Sequence, residues 1–163
     1  MRILGIDPGM NATGYGVVEF DKQNDNCRHI THGIIRTKSS EELTIRLQMI
    51  RDGITKIIDE YDPSFGAVEG GFVGTNARSA LLLGHARAIA ILTLGDGNLT
   101  VSEYSPSLVK QTVVGYGHST KQQVAEMVRL QLNLKLRPKP ADASDALAIA
   151  ITHWAHLKSN LLK

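Results

Sequence analysis

The sequence predicts an α/β fold in which one mixed five-stranded sheet is flanked by helices. Three Ile- and Val-rich stretches, separated by Pro-Gly and Asn/Asp-rich turns, occupy the first 36 residues and predict an antiparallel meander. Beyond residue 40 the apolar residues recur at helical spacing. Two later strand-like segments are separated by a helical one, and a helix between strands permits a parallel crossover. The predicted element order is therefore βββαβαβααα.

The individual elements follow from apolar spacing and from Gly and Pro breakers. The meander is predicted at 2–7, 14–20 and 27–36. A helix of about five turns follows, and Ser39 and Glu42 at its start have the spacing of a capping box. Its apolar stripe consists of Leu43, Leu47, Ile50, Ile54 and Ile57. The later elements are predicted as a strand at 65–69, a helix at 76–94, a strand at 99–104, a short helix after Pro106, a helix at 119–132 and a closing helix at 141–157.

Length and composition indicate one domain. The chain has 163 residues, which fits a single domain at 1–157 with a short C-terminal tail at 158–163. The single cysteine, Cys27, excludes a disulfide framework and cysteine-based zinc clusters, and it suits a reducing compartment. The longest apolar run, 88–94, is far shorter than the roughly 20 residues of a membrane span. With no secretory leader pattern, we expect a cytoplasmic protein without a membrane segment.

Charge is unevenly distributed along the chain. The net charge is only +2. The segment 41–69 carries seven acids and three bases, whereas 104–139 carries six bases and a single acid, Glu126. This asymmetry favours a polyanionic partner bound on one side of the molecule.

Four carboxylates stand where apolar residues would be expected. Asp7 and Glu69 each end an apolar strand, and Asp142 and Asp145 share the apolar stripe of the closing helix. Alone, each has an ordinary explanation as a turn residue, a solvated strand end or a helix N-terminal acid. Together, buried carboxylates that converge require cations. An oxygen-only ligand set predicts a hard ion such as Mg²⁺ or Mn²⁺.

Several segments in the same order resemble the RuvC family of Holliday junction resolvases over residues 1 to about 154. They are GIDPG at 5–9, GYG at 14–16, Glu69 followed by Phe72, VKQTVVG at 109–115 and DASDALAIA at 142–150. The resemblance implies a ribonuclease H-like fold and a homodimer that nicks two like-polarity strands of a four-way DNA junction with magnesium. It also implies a branch-migration helicase complex as partner.

The resemblance assigns the same four acids to metal binding and catalysis. Asp7, Glu69, Asp142 and Asp145 would hold two Mg²⁺ ions, with Mn²⁺ as a substitute, for an in-line displacement. The expected products carry 5′-phosphate and 3′-hydroxyl ends. The sequence does not assign a role to each acid.

Five further residues match DNA-facing positions of the family. Lys110 and Lys121 would hold backbone phosphates near the cut, and Phe72 would stack on an unpaired base. Asn76 and Arg78 match loop positions that approach DNA. The alternatives are solvated lysines and a phenylalanine that anchors its loop in the core.

The helix at 76–94 is apolar around much of its circumference, which indicates a buried or a shared helix. A two-fold symmetric junction needs two nicks, and one chain supplies one acidic centre, so we expect a symmetric dimer. Its predicted interface includes Leu82, Leu83 and Ala86.

Other functions are open to the same fold. One alternative is a ribonuclease H-like nuclease that acts on RNA, and another is a non-catalytic junction-binding module. An actin-like or sugar-kinase ATPase would need two such domains and more than twice this length. A zinc site built from the pairs His29/His32 and His153/His156 is disfavoured, because one pair lies on a predicted strand and no further motif in the sequence supports the set.

Overall fold

The computed structural model describes residues 1–21, 26–71 and 76–161, and within them it contains the predicted α/β arrangement. Five strands form one sheet in the order β3-β2-β1-β4-β5. Their bounds are β1 Arg2–Asp7, β2 Ala12–Asp21, β3 Asn26–Arg36, β4 Phe65–Glu69 and β5 Thr100–Tyr104. The meander β1-β2-β3 is antiparallel, whereas β4 and β5 add in parallel beside β1. The predicted mixed sheet is confirmed.

Helices cover both faces of this sheet. They are α1 Leu43–Tyr61, α2 Ala77–Asp96, α3 Pro106–Val114, α4 Lys121–Gln131 and α5 Ala141–Leu161. Side chains of β1 alternate between two cores: Ile3 packs with α3, α4 and α5, while Leu4 and Ile6 pack with α1 and α2. The closing helix continues to Leu161, so residues 158–161 of the predicted tail are helical.

Helix α5 lies unusually close to the first two strands because glycines face it. A Cβ atom on Gly5 would lie 2.1 Å from the backbone oxygen of Ala146. A Cβ atom on Gly14 would lie 2.0 Å from the backbone oxygen of Asp142. Only residues without a side chain fit at these two positions, so the glycines determine how closely the start of α5 approaches the sheet.

The start of α1 differs from the predicted capping box. The helix begins at Leu43 with Glu42 as its N-cap, and no side chain caps it. A capping box is present instead at α4, where the Thr120 side chain accepts from the Gln123 amide and the Gln123 side chain accepts from the Thr120 amide. The spacing alone was insufficient, because Ser39 lies in a turn three residues before the actual N-cap and so is not at the start of the helix.

Helix α2 has 20 residues and contains an 18-residue window with a mean hydropathy of 1.3, which by length and composition would suffice for a membrane span. The length of the longest uninterrupted apolar run did not predict a helix of this length and hydropathy, because Arg87 interrupts the run but not the helix. One side of α2 packs on the core through Ala86, Ala90 and Leu94, and Arg87 forms an ion pair with Glu103 of β5. Helix α2 is therefore part of the packed domain, with an apolar side left exposed.

We predict that Gly14→Ala destabilises the protein because the added methyl group would force the start of α5 away from β2. The free energy of unfolding should fall by about 1 to 3 kcal/mol, the usual cost of overpacking. Urea unfolding followed by circular dichroism measures this change. Gly95→Ala is the matched control, because a Cβ at helical Gly95 meets nothing within 4 Å and should be neutral or slightly stabilising. Equal effects of the two substitutions would contradict the close-packing account.

Candidate active site

Two of the four predicted acids come from neighbouring parallel strands. Asp7 ends β1 and Glu69 ends β4, and the pairing of Ile6 with Val68 brings these ends side by side. Asp7 follows Ile3 and Gly5 on the sheet face that packs against α5, and Glu69 follows Ala67 on that same face. Strand register therefore directs both carboxylates toward the closing helix.

The other two acids come from the first turns of α5. Asp142 and Asp145 lie three residues apart on the helix and meet Asp7, so that one carboxylate oxygen of each lies within 4.8 Å of the others. Within the described ranges, this is the group of acidic, histidine or cysteine side chains close enough to hold a metal ion. A set of carboxylate oxygens suits a hard divalent cation.

Glu69 stands slightly apart from this trio but borders the same cavity. The cavity has a volume of about 240 Å³, and its lining includes Asp7, Glu69, Asp145, Lys110 and Lys121. The structure thus brings the four acids together with both predicted lysines. Acids and lysines that line one cavity suit a divalent metal ion next to a phosphate group.

The crowded carboxylates perturb one another. Burial, followed by the charges of neighbouring acids, raises the pKa of Asp7 to about 8, although Lys121 acts in the opposite direction. Burial and then the charge of Asp145 also raise the pKa of Glu69, opposed by Lys121 and Lys110. Without a cation these effects therefore favour the protonated forms of Asp7 and Glu69, and a divalent ion would favour their ionised forms.

The two lysines are placed by well-defined helix starts. Ser105 caps α3, which carries Lys110, and the Thr120 capping box begins α4 at Lys121. Lys121 Nζ donates to Asp145 Oδ2 at 2.8 Å, and this hydrogen bond raises the pKa of Lys121. Its side chain is still 73% exposed, so the ammonium group also faces solvent.

Arg46 holds the turn that follows Asp7, a role that sequence reasoning missed. It is 7% exposed and donates to the backbone oxygen of Met10 at 2.9 Å and to Asn11 Oδ1 at 2.8 Å. Thr13 closes the same turn by donating to the Gly9 backbone oxygen at 2.8 Å. An arginine next to the apolar stripe of α1 was the available signal, because charged residues are rarely buried without partners.

The comparisons with known proteins agree with this geometry. A family model described as crossover junction endodeoxyribonuclease RuvC matches residues 3–153. A RuvC from Geobacter sulfurreducens is 49% identical over 153 residues, which cover 94% of this chain and 92% of that protein. A RuvC from Syntrophotalea carbinolica is 50% identical over 155 residues, covering 94% and 93%. The chain belongs to the RuvC family.

Solved structures of the family superpose closely. Thermus thermophilus RuvC has a TM-score of 0.89 at 32% identity, covering 98% of this chain and 97% of that one. The same protein in complex with Holliday junction substrate has a TM-score of 0.91, covering 98% and 96%. A yeast mitochondrial Holliday junction resolvase, at 13% identity and a TM-score of 0.64, shares the fold alone. The expected ribonuclease H-like fold is confirmed by the match to RuvC.

The histidine pairs lie on two different elements, His29 and His32 on β3 and His153 and His156 on α5. His29 Nε2 and His32 Nδ1 are hydrogen-bonded to each other at 2.8 Å on β3. His153 is buried on α5, and its Nδ1 is 2.8 Å from the hydroxyl of Tyr104 at the end of β5. Burial lowers the pKa of His153 to about 4, so this contact is a neutral hydrogen bond in the core.

The predicted DNA loop is only partly described. Phe72 lies outside the described residues. Asn76 is the N-cap of α2, and its side-chain oxygen accepts from the amides of Arg78 and Ser79 at 3.0 and 3.2 Å. Arg78 is exposed at the start of that helix. Asn76 therefore has a structural role in starting α2, while Arg78 is free to reach outward.

The predicted interface residues on α2 face different environments. Ala86 is fully buried against the core of its own chain, because the helix turns this position inward. Leu82 also packs partly against that core. Leu83 is half-buried, whereas Leu81 and Leu92 are 62% and 57% exposed. The exposed apolar stripe of α2 consists of Ala77, Leu81, Gly84, Ala88 and Leu92.

We predict that Asp7→Asn changes the pH dependence of stability in metal-free protein. In the folded protein the pKa of Asp7 is about 8, whereas its ordinary value is 3.8. Folded Asp7 therefore keeps its proton up to about pH 8. Between these values the folded state binds the extra proton, so its free energy of unfolding falls as pH rises. Asn carries no such proton. As pH rises through this range, the free energy of unfolding of the variant should therefore increase relative to that of the parent.

Urea unfolding in a chelating buffer at several pH values measures the difference. Asp59→Asn, on the exposed side of α1, is the matched control. A stability difference between parent and Asp7→Asn that stays constant from pH 4 to pH 8 would contradict the raised pKa of Asp7.

Proposed function

We propose that this chain is a structure-selective endonuclease that resolves four-way (Holliday) DNA junctions by paired symmetric nicks in recombination and repair. The observation that carries the proposal is a cavity lined by Asp7, Glu69, Asp145 and two lysines, with Asp142 beside Asp7 and Asp145, in a chain of the RuvC family. Support comes from T. thermophilus RuvC, whose complex with Holliday junction substrate superposes on this chain with a TM-score of 0.91. Nuclease chemistry, rather than junction binding alone, is favoured because each of the four acids is present.

In this proposal Asp7, Glu69, Asp142 and Asp145 hold two Mg²⁺ ions, which Mn²⁺ can replace. When bound, the ions supply a lowered pKa for the attacking water and stabilisation of the leaving 3′-oxygen. The fit rests on the oxygen-only ligand set and on the raised pKa values of Asp7 and Glu69, since carboxylates that repel one another gain most from a cation. The products carry 5′-phosphate and 3′-hydroxyl ends.

The lysines bind and orient the substrate strand. Lys110 and Lys121 line the acidic cavity, so a backbone phosphate that enters it meets positive charge at the wall. Lys121 is paired with Asp145 in the free protein, and we expect its exposed ammonium to share this contact with the phosphate. Phe72, Asn76 and Arg78 are the further proposed DNA contacts, with Arg78 best placed by its exposure.

Two-fold symmetric cleavage requires a second active site, and we propose that a homodimer supplies it. The exposed stripe of α2 is the proposed interface, with Leu83 at its margin and Leu82 and Ala86 supporting it from the core side. This stripe would bury the apolar surface that gives α2 its high hydropathy. We further propose a branch-migration helicase complex as partner, on the family resemblance. From composition and length we propose the cytoplasm as location and 1–157 as one nuclease domain.

We predict that the parent protein with Mg²⁺ makes paired symmetric nicks in a synthetic mobile four-way junction. Asp7→Asn should still bind the junction but should cut it at least about 100-fold more slowly, because a metal ligand is lost. Gel analysis of end-labelled junctions measures cutting, and fluorescence anisotropy measures binding. Asp59→Asn should cut at the parent rate.

Two results would contradict the proposal. Cutting by Asp7→Asn at the parent rate would exclude the acid assignment. Cleavage of structured RNA with an intact junction would favour the ribonuclease alternative.

We predict that Leu81→Glu and Leu92→Glu weaken dimerisation, because an unpaired charge would be buried at an apolar contact. The dimer dissociation constant should rise at least about tenfold, measured by sedimentation equilibrium. Leu136→Glu is the control, since Leu136 is 80% exposed and lies outside the stripe. Dimers of unchanged affinity in both α2 variants would place the interface elsewhere.

A further inference from the structure

A second cavity adjoins the acidic one. It has a volume of about 580 Å³ and shares Lys121 and Asp145 with the acidic cavity. It extends from this shared wall to the segment before α5 that contains Pro138 and Pro140. The two cavities are therefore adjacent, on either side of the Lys121–Asp145 ion pair.

The walls of this second cavity combine apolar and cationic groups. Pro138, Pro140, Ala125 and Ala141 present apolar surface to it. Lys139 also lines it and is exposed. Walls of this kind suit a ligand with a flat apolar part and an anionic part, as in a nucleotide.

The positive charges around the cavity are not equivalent. Arg137 Nε donates to Glu126 Oε2 at 2.6 Å, and Arg129 binds the same carboxylate, which together hold the pKa of Glu126 at about 2. Lys121 is paired with Asp145. Lys139 has no acidic partner within the part of the chain that the structure describes. Its exposed ammonium group is therefore available to an anionic ligand in this cavity.

Ser144 provides an independent sign of a missing ligand. It lines the cavity and is only 2% exposed, yet its hydroxyl has no hydrogen-bond partner among the described residues. Buried hydroxyl groups are normally hydrogen-bonded, and an unpaired one requires an explanation. A polar group of a bound ligand would satisfy it.

We propose that this cavity binds one nucleotide of the cleaved strand, adjacent to the phosphate in the acidic site. The nucleotide's own phosphate pairs with Lys139, its sugar and base lie against Pro138 and Pro140, and the Ser144 hydroxyl donates a hydrogen bond to it. This inference rests on the proposed nuclease function and adds a residue, Lys139, that positions the strand beside the cut. Continuity with the acidic cavity favours a nucleotide of the substrate over a free small molecule.

The test maps the nicks made with Mg²⁺ and then neutralises single phosphates around them. Junctions with one methylphosphonate within three nucleotides of the cut are titrated, in a chelating buffer, against the parent, Lys139→Gln and Lys135→Gln. Lys135 is the matched control because it is an exposed lysine of the same segment that does not line this cavity.

Lys139→Gln should weaken binding of the unmodified junction about tenfold, the size of one charge-assisted contact. One methylphosphonate position should weaken binding by the parent and by Lys135→Gln to a similar extent but leave Lys139→Gln unaffected. An abasic nucleotide at that position should also weaken binding by the parent. Equal sensitivity of all three proteins at every position would overturn the subsite.

The experiment distinguishes failure of the Lys139 subsite from failure of the proposed nuclease function. A junction that is bound and symmetrically nicked, but whose phosphates show no coupling to Lys139, overturns the subsite and leaves the nuclease function intact. A junction that is never nicked overturns the proposed function and, with it, the inference that depends on it. An effect of Lys139→Gln matched by Lys135→Gln would indicate general electrostatic attraction and would also overturn the subsite.

Discussion

The close contact between α5 and the first two strands is the constraint on which the site depends. With Gly5 and Gly14 facing it, the backbone of α5 lies where a side chain would otherwise stand. This contact brings the first turns of α5 within reach of the end of β1, so that Asp142 and Asp145 meet Asp7. The distance at which α5 packs on the sheet therefore determines the distances between these three carboxylates.

The close spacing of the carboxylates has an electrostatic cost, which the neighbouring Lys121 reduces. Burial and mutual repulsion raise the pKa of Asp7 and of Glu69, and the nearest compensation is the ammonium group of Lys121. The lysine acts in two ways, since it lowers repulsion among the acids and presents positive charge to a phosphate. The near-neutral total charge of the chain thus combines an acidic centre with a basic rim.

The sequence was sufficient for the order of elements along the chain and for singling out four candidate acids, because both depend on local patterns. Strand-end acids stand out against apolar neighbours, and Asp142 and Asp145 share a stripe with Ile149. Contacts between distant segments left weaker signals: Arg46 is 35 residues from Asn11, which it binds. On α2 apolar residues surround the helix, so its sequence did not distinguish buried Ala86 from exposed Leu81. The capping box at Ser39 failed because the three-residue spacing occurs without the required backbone geometry.

Two of the acids lie on the innermost part of the sheet, since β1 is the central strand and β4 is its neighbour. Central strands are the last elements to open, so their amide hydrogens exchange with solvent mainly through global unfolding. The carboxylates of Asp7 and Glu69 are consequently held in place by the most persistent segments of the molecule. Local fluctuations that open surface helices would leave this half of the site assembled, and its loss would coincide with loss of the fold itself.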